Sequence, residues 1–330
     1  MSELMRKTII GLTAVALLAA ACGGGGAGAP NELVALKKTP ASLAADDAAW
    51  KDAGAVLIKT TVIEGSAAKA GVEVKAQALY SDTDVWFRFE WTDATESTGR
   101  VWTYDGTAWK SSGNEDRLAL YWEITPIDKF QTRTCGALCH NPVADNIDEW
   151  YMITPGLSDR ADNWHWKAAR TNAIGQVDDK YLTGVLTDPK DVESANKGDA
   201  KDKGGYTDNK TADGKGPAKM QDPTKKPSAG SGVLLTTEAV PMDASKFKAG
   251  DTVPRELLEP WVGSRGDIAA KGVYASGKWT VVFHRKLNTA HEDDVEFITG
   301  KTYPFGLAVF DSAGGANHTI SSDVLTLKFK

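Results

Sequence analysis

The chain reads as an all-β protein: an antiparallel β-sandwich with a few short helices and one long irregular excursion. Three observations predict it. Apolar residues alternate with a period of two, turn-forming Ser, Thr, Asp, Asn and Gly separate the alternating runs, and windows of helical period are few and brief. Short strands joined by turns point to packed antiparallel sheets rather than to βαβ units.

Residues 56–62 make the first clear strand. An alternating run over 72–80, the turn Ser81-Asp82-Thr83-Asp84 and a second run over 85–91 predict a β-hairpin, with Val85, Phe87, Phe89 and Trp91 on one face and Trp86, Arg88 and Glu90 on the other. Residues 117–124 repeat the pattern through Leu118, Leu120, Trp122 and Ile124, and residues 279–287 do so through Trp279, Val281 and Phe283. Further strands are expected at 295–298, 305–310 and 324–329, and the best helical candidates are 256–262 and 163–170. Between about 187 and 232 the composition turns to Lys, Asp, Gly, Asn and Pro, which cannot bury enough apolar surface to order as a domain. That segment is expected as a polar insertion running over the sandwich.

The N-terminus sets the compartment. Arg6 and Lys7, an apolar run from 8 to 21 and small residues before Cys22 make a secretory signal over 1–21, too short for a comfortable membrane span. A cysteine at the cut resembles the lipobox of bacterial lipoproteins. A lipidated Cys22 followed by a glycine-rich tether, 22–45, would hold the folded part, 46–330, at a membrane surface without spanning it. Ordinary signal cleavage leaving Cys22 as a free thiol is the alternative. The expected location is exported and membrane-anchored, periplasmic or at the outer membrane or cell surface. A net charge of -6 offers no basic face for nucleic acid.

Cys135-Gly136-Ala137-Leu138-Cys139-His140 carries the chemistry. Two cysteines followed at once by a histidine suit haem c: each thiol adds to a haem vinyl group, and the imidazole ligates the iron. Three residues separate the cysteines instead of the usual C-x-x-C-H spacing, which leaves a local disulfide or a zinc or copper site open.

The hairpin over 85–91, the strand Glu115 to Trp122, the cysteine motif, the segment Asp162-Asn163-Trp164-His165-Trp166-Lys167-Ala168-Ala169-Arg170, residues 279–287 and the closing 305–327 occur in an order similar to the haem-binding domain of ethylbenzene dehydrogenase gamma subunits and related type II dimethyl sulfoxide reductase family enzymes. The resemblance covers about 46–330. It implies a β-sandwich holding a b-type haem between a methionine and a lysine. Here the methionine region corresponds broadly to 135–152, which offers His140 and the covalent motif, and the lysine falls on His318. The resemblance therefore implies bis-histidine iron, with His140 proximal and His318 distal. Met152 and His165 are rivals for the distal position, and His284 and His291 read as surface residues. His165 also suits packing or a hydrogen bond to a haem propionate, with Arg117, Lys167 and Arg170 as further propionate partners.

Trp164 and Trp166 are expected at the haem edge, whereas Trp86, Trp91 and Trp122 read as core. With no catalytic constellation legible, the reading is an electron carrier and not an enzyme. Its cofactor is one covalent haem c, with haem b as the alternative. Its partners are other redox proteins: a multihaem cytochrome, or molybdenum and iron–sulfur subunits. A second class of function is a surface-anchored binding module with a tryptophan-rich face and no haem.

Overall fold

A computed structural model describes residues 31–63, 66, 68, 70–133, 138, 152–184, 196–230, 232–315 and 317–330. Its strands are β1 (Glu32–Lys37), β2 (Ala55–Val62), β3 (Glu73–Tyr80), β4 (Asp84–Thr92), β5 (Val101–Tyr104), β6 (Trp109–Ser112) and β7 (Arg117–Glu123), followed by a single helical turn, α1 (Phe130–Arg133). Then come β8 (Arg160–Lys167), β9 (Asp178–Thr183), β10 (Asn196–Gly198), β11 (Lys203–Asp208), β12 (Lys219–Gln221), β13 (Ala239–Pro241), β14 (Thr252–Pro254) and β15 (Glu256–Val262). The chain closes with β16 (Ala269–Ala275), β17 (Lys278–Lys286), β18 (Thr302–Phe310), β19 (Thr319–Ser321) and β20 (Leu325–Phe329).

Hydrogen bonding runs continuously through β10-β9-β8-β7-β18-β19-β2-β3-β4-β17-β16, and this ribbon folds over on itself as a sandwich. β2 makes the corner: its first residues pair with β3 and its last with β19. β1 closes the seam, running parallel to β20 and then to β3.

Period-two alternation decides what lies between the layers. In the hairpin β3–β4 and in β17, Trp279 stands opposite Trp91, Val281 opposite Phe89 and Phe283 opposite Phe87. These side chains meet those of β7, β8 and β18. Phe87 lies 5.6 Å from Trp122 and 5.7 Å from Trp164, and Trp166 lies 5.1 Å from Trp279 and 6.3 Å from Trp91. Offset and edge-on contacts of this kind add to the area the rings bury.

Both helical expectations give way to strands. Residues 256–262 form β15, because Pro260 has no N–H for a helix interior but is tolerated at the bulge where β15 pairs with β11. Residues 163–167 lie in β8, where Trp164 and Trp166 face the core and His165 the opposite side. Residues 295–298 form no strand, although Val295 and Phe297 are buried as their alternation implied. Their backbone is satisfied singly instead: the Val295 amide donates to Asp162 Oδ2 at 2.9 Å and the Phe297 amide to the Leu287 carbonyl at 2.8 Å. The polar insertion is less irregular than its composition predicts, since its described part carries β10, β11 and β12. These strands pair with β9, β15 and β13 and so borrow order from the sandwich.

Candidate functional site

The outer face of the sheet β9-β8-β7-β18-β19 gathers most of the described residues to which the sequence assigned a role. In β8 the residues alternating with the core tryptophans are Ala161, Asn163, His165 and Lys167. Their neighbours across the strands on that face include Tyr121, Ala119 and Arg117 of β7, and Asp178 of β9. Phe310, the last residue of β18, is buried among Ala119, Ala308, Ala313 and Ile320. Its ring stacks on two imidazoles, His165 at 5.4 Å and His318 at 4.4 Å. One phenyl ring therefore brings together two histidines far apart in sequence.

His318 is buried and His165 half-buried. His165 Nε2 is buried and has no hydrogen-bond partner. Burial holds this ring well below the usual imidazole range, and the surrounding Lys167, Arg117, Lys180 and Arg170 push it further the same way, so it is neutral. His318 is 5% exposed, and its Nδ1 lies 3.1 Å from the Gly315 carbonyl. A carbonyl accepts only, so Nδ1 donates this hydrogen bond, as a ring nitrogen commonly does in metal-bound histidine.

Below these rings a second apolar cluster covers the same face. Leu138, flanked in sequence by Cys135 and Cys139, is fully buried with Tyr121, Ile127, Phe130, Ala161 and Leu182. Its carbonyl accepts from the amide of Ile153 at 3.2 Å. Met152 packs on the same cluster, with its sulfur against the Tyr121 hydroxyl. Cys22, Cys135, Cys139 and His140 lie outside the described residues.

A buried ion network borders the histidines. Glu115, fully buried, accepts from Arg170 Nε at 2.6 Å and lies 3.7 Å from both Arg100 and Arg117. Asp178 takes Lys167, the Tyr206 hydroxyl and Arg265, whose NH2 is 2.7 Å away. Burial alone would raise the Asp178 carboxyl, but Lys167, Lys180 and Arg265 outweigh it and hold it well below the usual range. Burial lowers Lys167 to about 8 and Arg117 to about 10 against the pull of their carboxylates. Against Arg100, Arg117, Lys167, Arg170, Lys180 and Arg265 stand Glu115, Asp178 and Glu256, which leaves a surplus of positive charge beside His165.

The remaining expectations fall elsewhere. Trp164 and Trp166 face the opposite way, fully buried between the sheets with Trp122, Phe87 and Trp279. Trp91 and Trp122 are core, while Trp86 lies on the outside of the other sheet, stacked on His284 at 4.8 Å. His291 is exposed. Sequence reasoning passed over Phe310, Glu115, Asp178 and Arg265. None carries a motif, and only the fold brings them together.

A separate cavity of about 610 Å³ opens near the end of the sandwich, lined by Trp91, Asp93, Val309, Asp311 and Asn317 among others. Among the described residues its lining includes no histidine, methionine, cysteine or lysine. Burial, together with Asp116 and Asp311, raises Asp93 to about 6. This cavity is acidic where the outer face is basic.

The sequence matches the family model described as ethylbenzene dehydrogenase over residues 47–322. The chain belongs to the ethylbenzene dehydrogenase family. No curated protein matches this family member in sequence. Among solved structures it is similar to a family 9 carbohydrate binding module from Caldicellulosiruptor kristjanssonii in complex with cellotriose, at 10% identity and a TM-score of 0.34, over 91% of this chain and 93% of that one. The same module in complex with glucose aligns at 9% identity and a TM-score of 0.34, over 91% and 95% of the two chains.

Proposed function

We propose that this member of the ethylbenzene dehydrogenase family is an exported, membrane-anchored, c-type cytochrome-like protein that binds one haem on the outer face of β9-β8-β7-β18-β19 and transfers electrons without substrate chemistry of its own. Cys135 and Cys139 would hold the haem covalently, His140 would ligate the iron on one side and His318 on the other, and Cys22 would carry the lipid. The observation that carries this reading is the convergence of His318, His165, Met152 and Leu138 on one sheet face. The donor set suits iron: two imidazoles, the His165 ring held neutral, and a thioether, with an apolar floor of Ala119, Ala308, Phe310 and Ile320 and cations at the border.

A bound haem would supply a one-electron iron couple. The protein's own part is to orient the His318 ring through Gly315, to exclude water with Phe310 and the Leu138 cluster, and to receive the negative propionates with Arg117, Lys167 and Arg170. His165 is a donor or acceptor beside His318 in this arrangement, and Met152 packs under Tyr121. Electron partners would be a multihaem cytochrome or molybdenum and iron–sulfur subunits. A tryptophan-rich binding face is the other functional class, but among the described residues every tryptophan except the half-buried Trp109 is buried.

The test is a pyridine haemochrome spectrum of the full chain made with a haem c maturation system, taken before and after acid–acetone extraction. Pigment that stays on the polypeptide supports the proposal. Pigment that leaves with the solvent replaces haem c by a b-type site, and a colourless protein overturns the reading.

A further inference from the structure

A second cluster lies across the sheet from His165, on the core side. Asp162 of β8, Asp179 of β9 and Asp294, in the loop after β17, each present a carboxylate oxygen, and these oxygens all lie within 4.8 Å of one another. All three residues are buried, with Asp162 and Asp179 fully so. Arg285 is the cation that faces them, with NH1 3.4 Å from Asp162 Oδ2 and NH2 3.6 Å from Asp294 Oδ2. Its NH2 also donates to the Val295 carbonyl, and its guanidinium packs on Trp164 and Phe297. One guanidinium does not satisfy the set: Asp162 Oδ1, Asp179 Oδ2 and both oxygens of Asp294 have no hydrogen-bond donor.

An independent side chain points to a ligand. Asp199, which follows β10 in the polar insertion, is 3% exposed; its carboxylate oxygens have no donor within 3.5 Å, and the side chain that faces them is another carboxyl, that of Asp179. Its amide donates to the Asp179 carbonyl at 3.3 Å, which sets it beside the cluster. Buried carboxylates without donors are costly, and protein interiors rarely leave several together.

We propose that Asp162, Asp179 and Asp294, completed by Asp199, bind one calcium ion. Oxygens held by a single calcium at about 2.4 Å stand no more than about 4.8 Å apart, and the three carboxylate oxygens lie within that limit. An oxygen-only set with several carboxylates selects a hard cation, and a dry, irregular site favours calcium over magnesium, which keeps its waters. The ion would tie the insertion and the strandless loop carrying Asp294 to β8 and β9. The site is independent of the haem reading.

The test uses the full chain stripped with EGTA. Equilibrium dialysis with elemental analysis is expected to give one calcium per chain, and Tm is expected to rise with calcium at concentrations where magnesium has no effect. Asp179→Asn should lose both the bound calcium and the calcium-dependent rise, yet in EGTA be at least as stable as wild type, because it removes one of the repelling carboxyls. Asp294→Asn, in a loop, provides the same comparison should Asp179→Asn fail to fold. Wild-type protein that binds no calcium and keeps its Tm across the titration would overturn the proposal, as would both variants responding to calcium like wild type.

Discussion

Glu115→Gln probes the ion network that borders the outer-face site. Gln keeps the shape of Glu115 and an acceptor for the amides of Ala169 and Arg170, at 2.9 and 3.0 Å, but removes the charge that Arg170, Arg100 and Arg117 share. Arg100 retains Glu256 at 2.6 Å; Arg170 and Arg117 lose the carboxylate they share. A close ion pair at an effective dielectric of 20 is worth about 4 kcal/mol, and breaking a buried pair by removing one partner typically costs about 3–5 kcal/mol. We expect a loss of about 3–5 kcal/mol, read as a lower urea midpoint with an unchanged m-value. Burial raises the Glu115 carboxyl, but Arg170, Arg117 and Lys167 bring it to a net value below the ordinary glutamate one. A depressed folded pKa gives stability that is present above the unfolded value and lost as pH falls through the folded one. Wild type should therefore lose this contribution on acidification below the ordinary glutamate range, and Glu115→Gln should lack that part of the slope. A loss under about 1 kcal/mol would show that water screens these charges and would refute the argument.

Two other outcomes follow from the core and the acidic cavity. Trp164→Ala, in the packed interior, should destabilise by about 3–5 kcal/mol in chemical denaturation. Asp93→Asn should stabilise at neutral pH by on the order of 1 kcal/mol after solvent screening, because a raised folded pKa favours folding only below it. Wild-type stability should fall between about pH 4 and the folded value of about 6, and thermal melts of the variant across that window should lack the decline.

The sandwich was legible because alternation in 85–91, 117–124 and 279–287 records which side chains face the opposite sheet, and a two-residue period has few other solutions. Residues 256–262 and 163–170 misled because a short apolar run fits either period, and Pro260 was the signal that argued for a strand. The polar insertion escaped because its order comes from pairing with β9, β13 and β15, which composition does not encode. His318 and His165 were legible as ligand types, but their shared stacking on Phe310 depends on strand register. No motif or spacing in the sequence links Asp162, Asp179, Asp199 and Asp294, and only the fold makes them one buried group.

The most direct test of the outer-face haem site is the ferric absorption spectrum of wild type beside His318→Ala and His165→Ala. The account predicts a low-spin spectrum in wild type, conversion to high-spin in His318→Ala, and retention of the low-spin form in His165→Ala. A low-spin spectrum that survives unchanged in His318→Ala would contradict it.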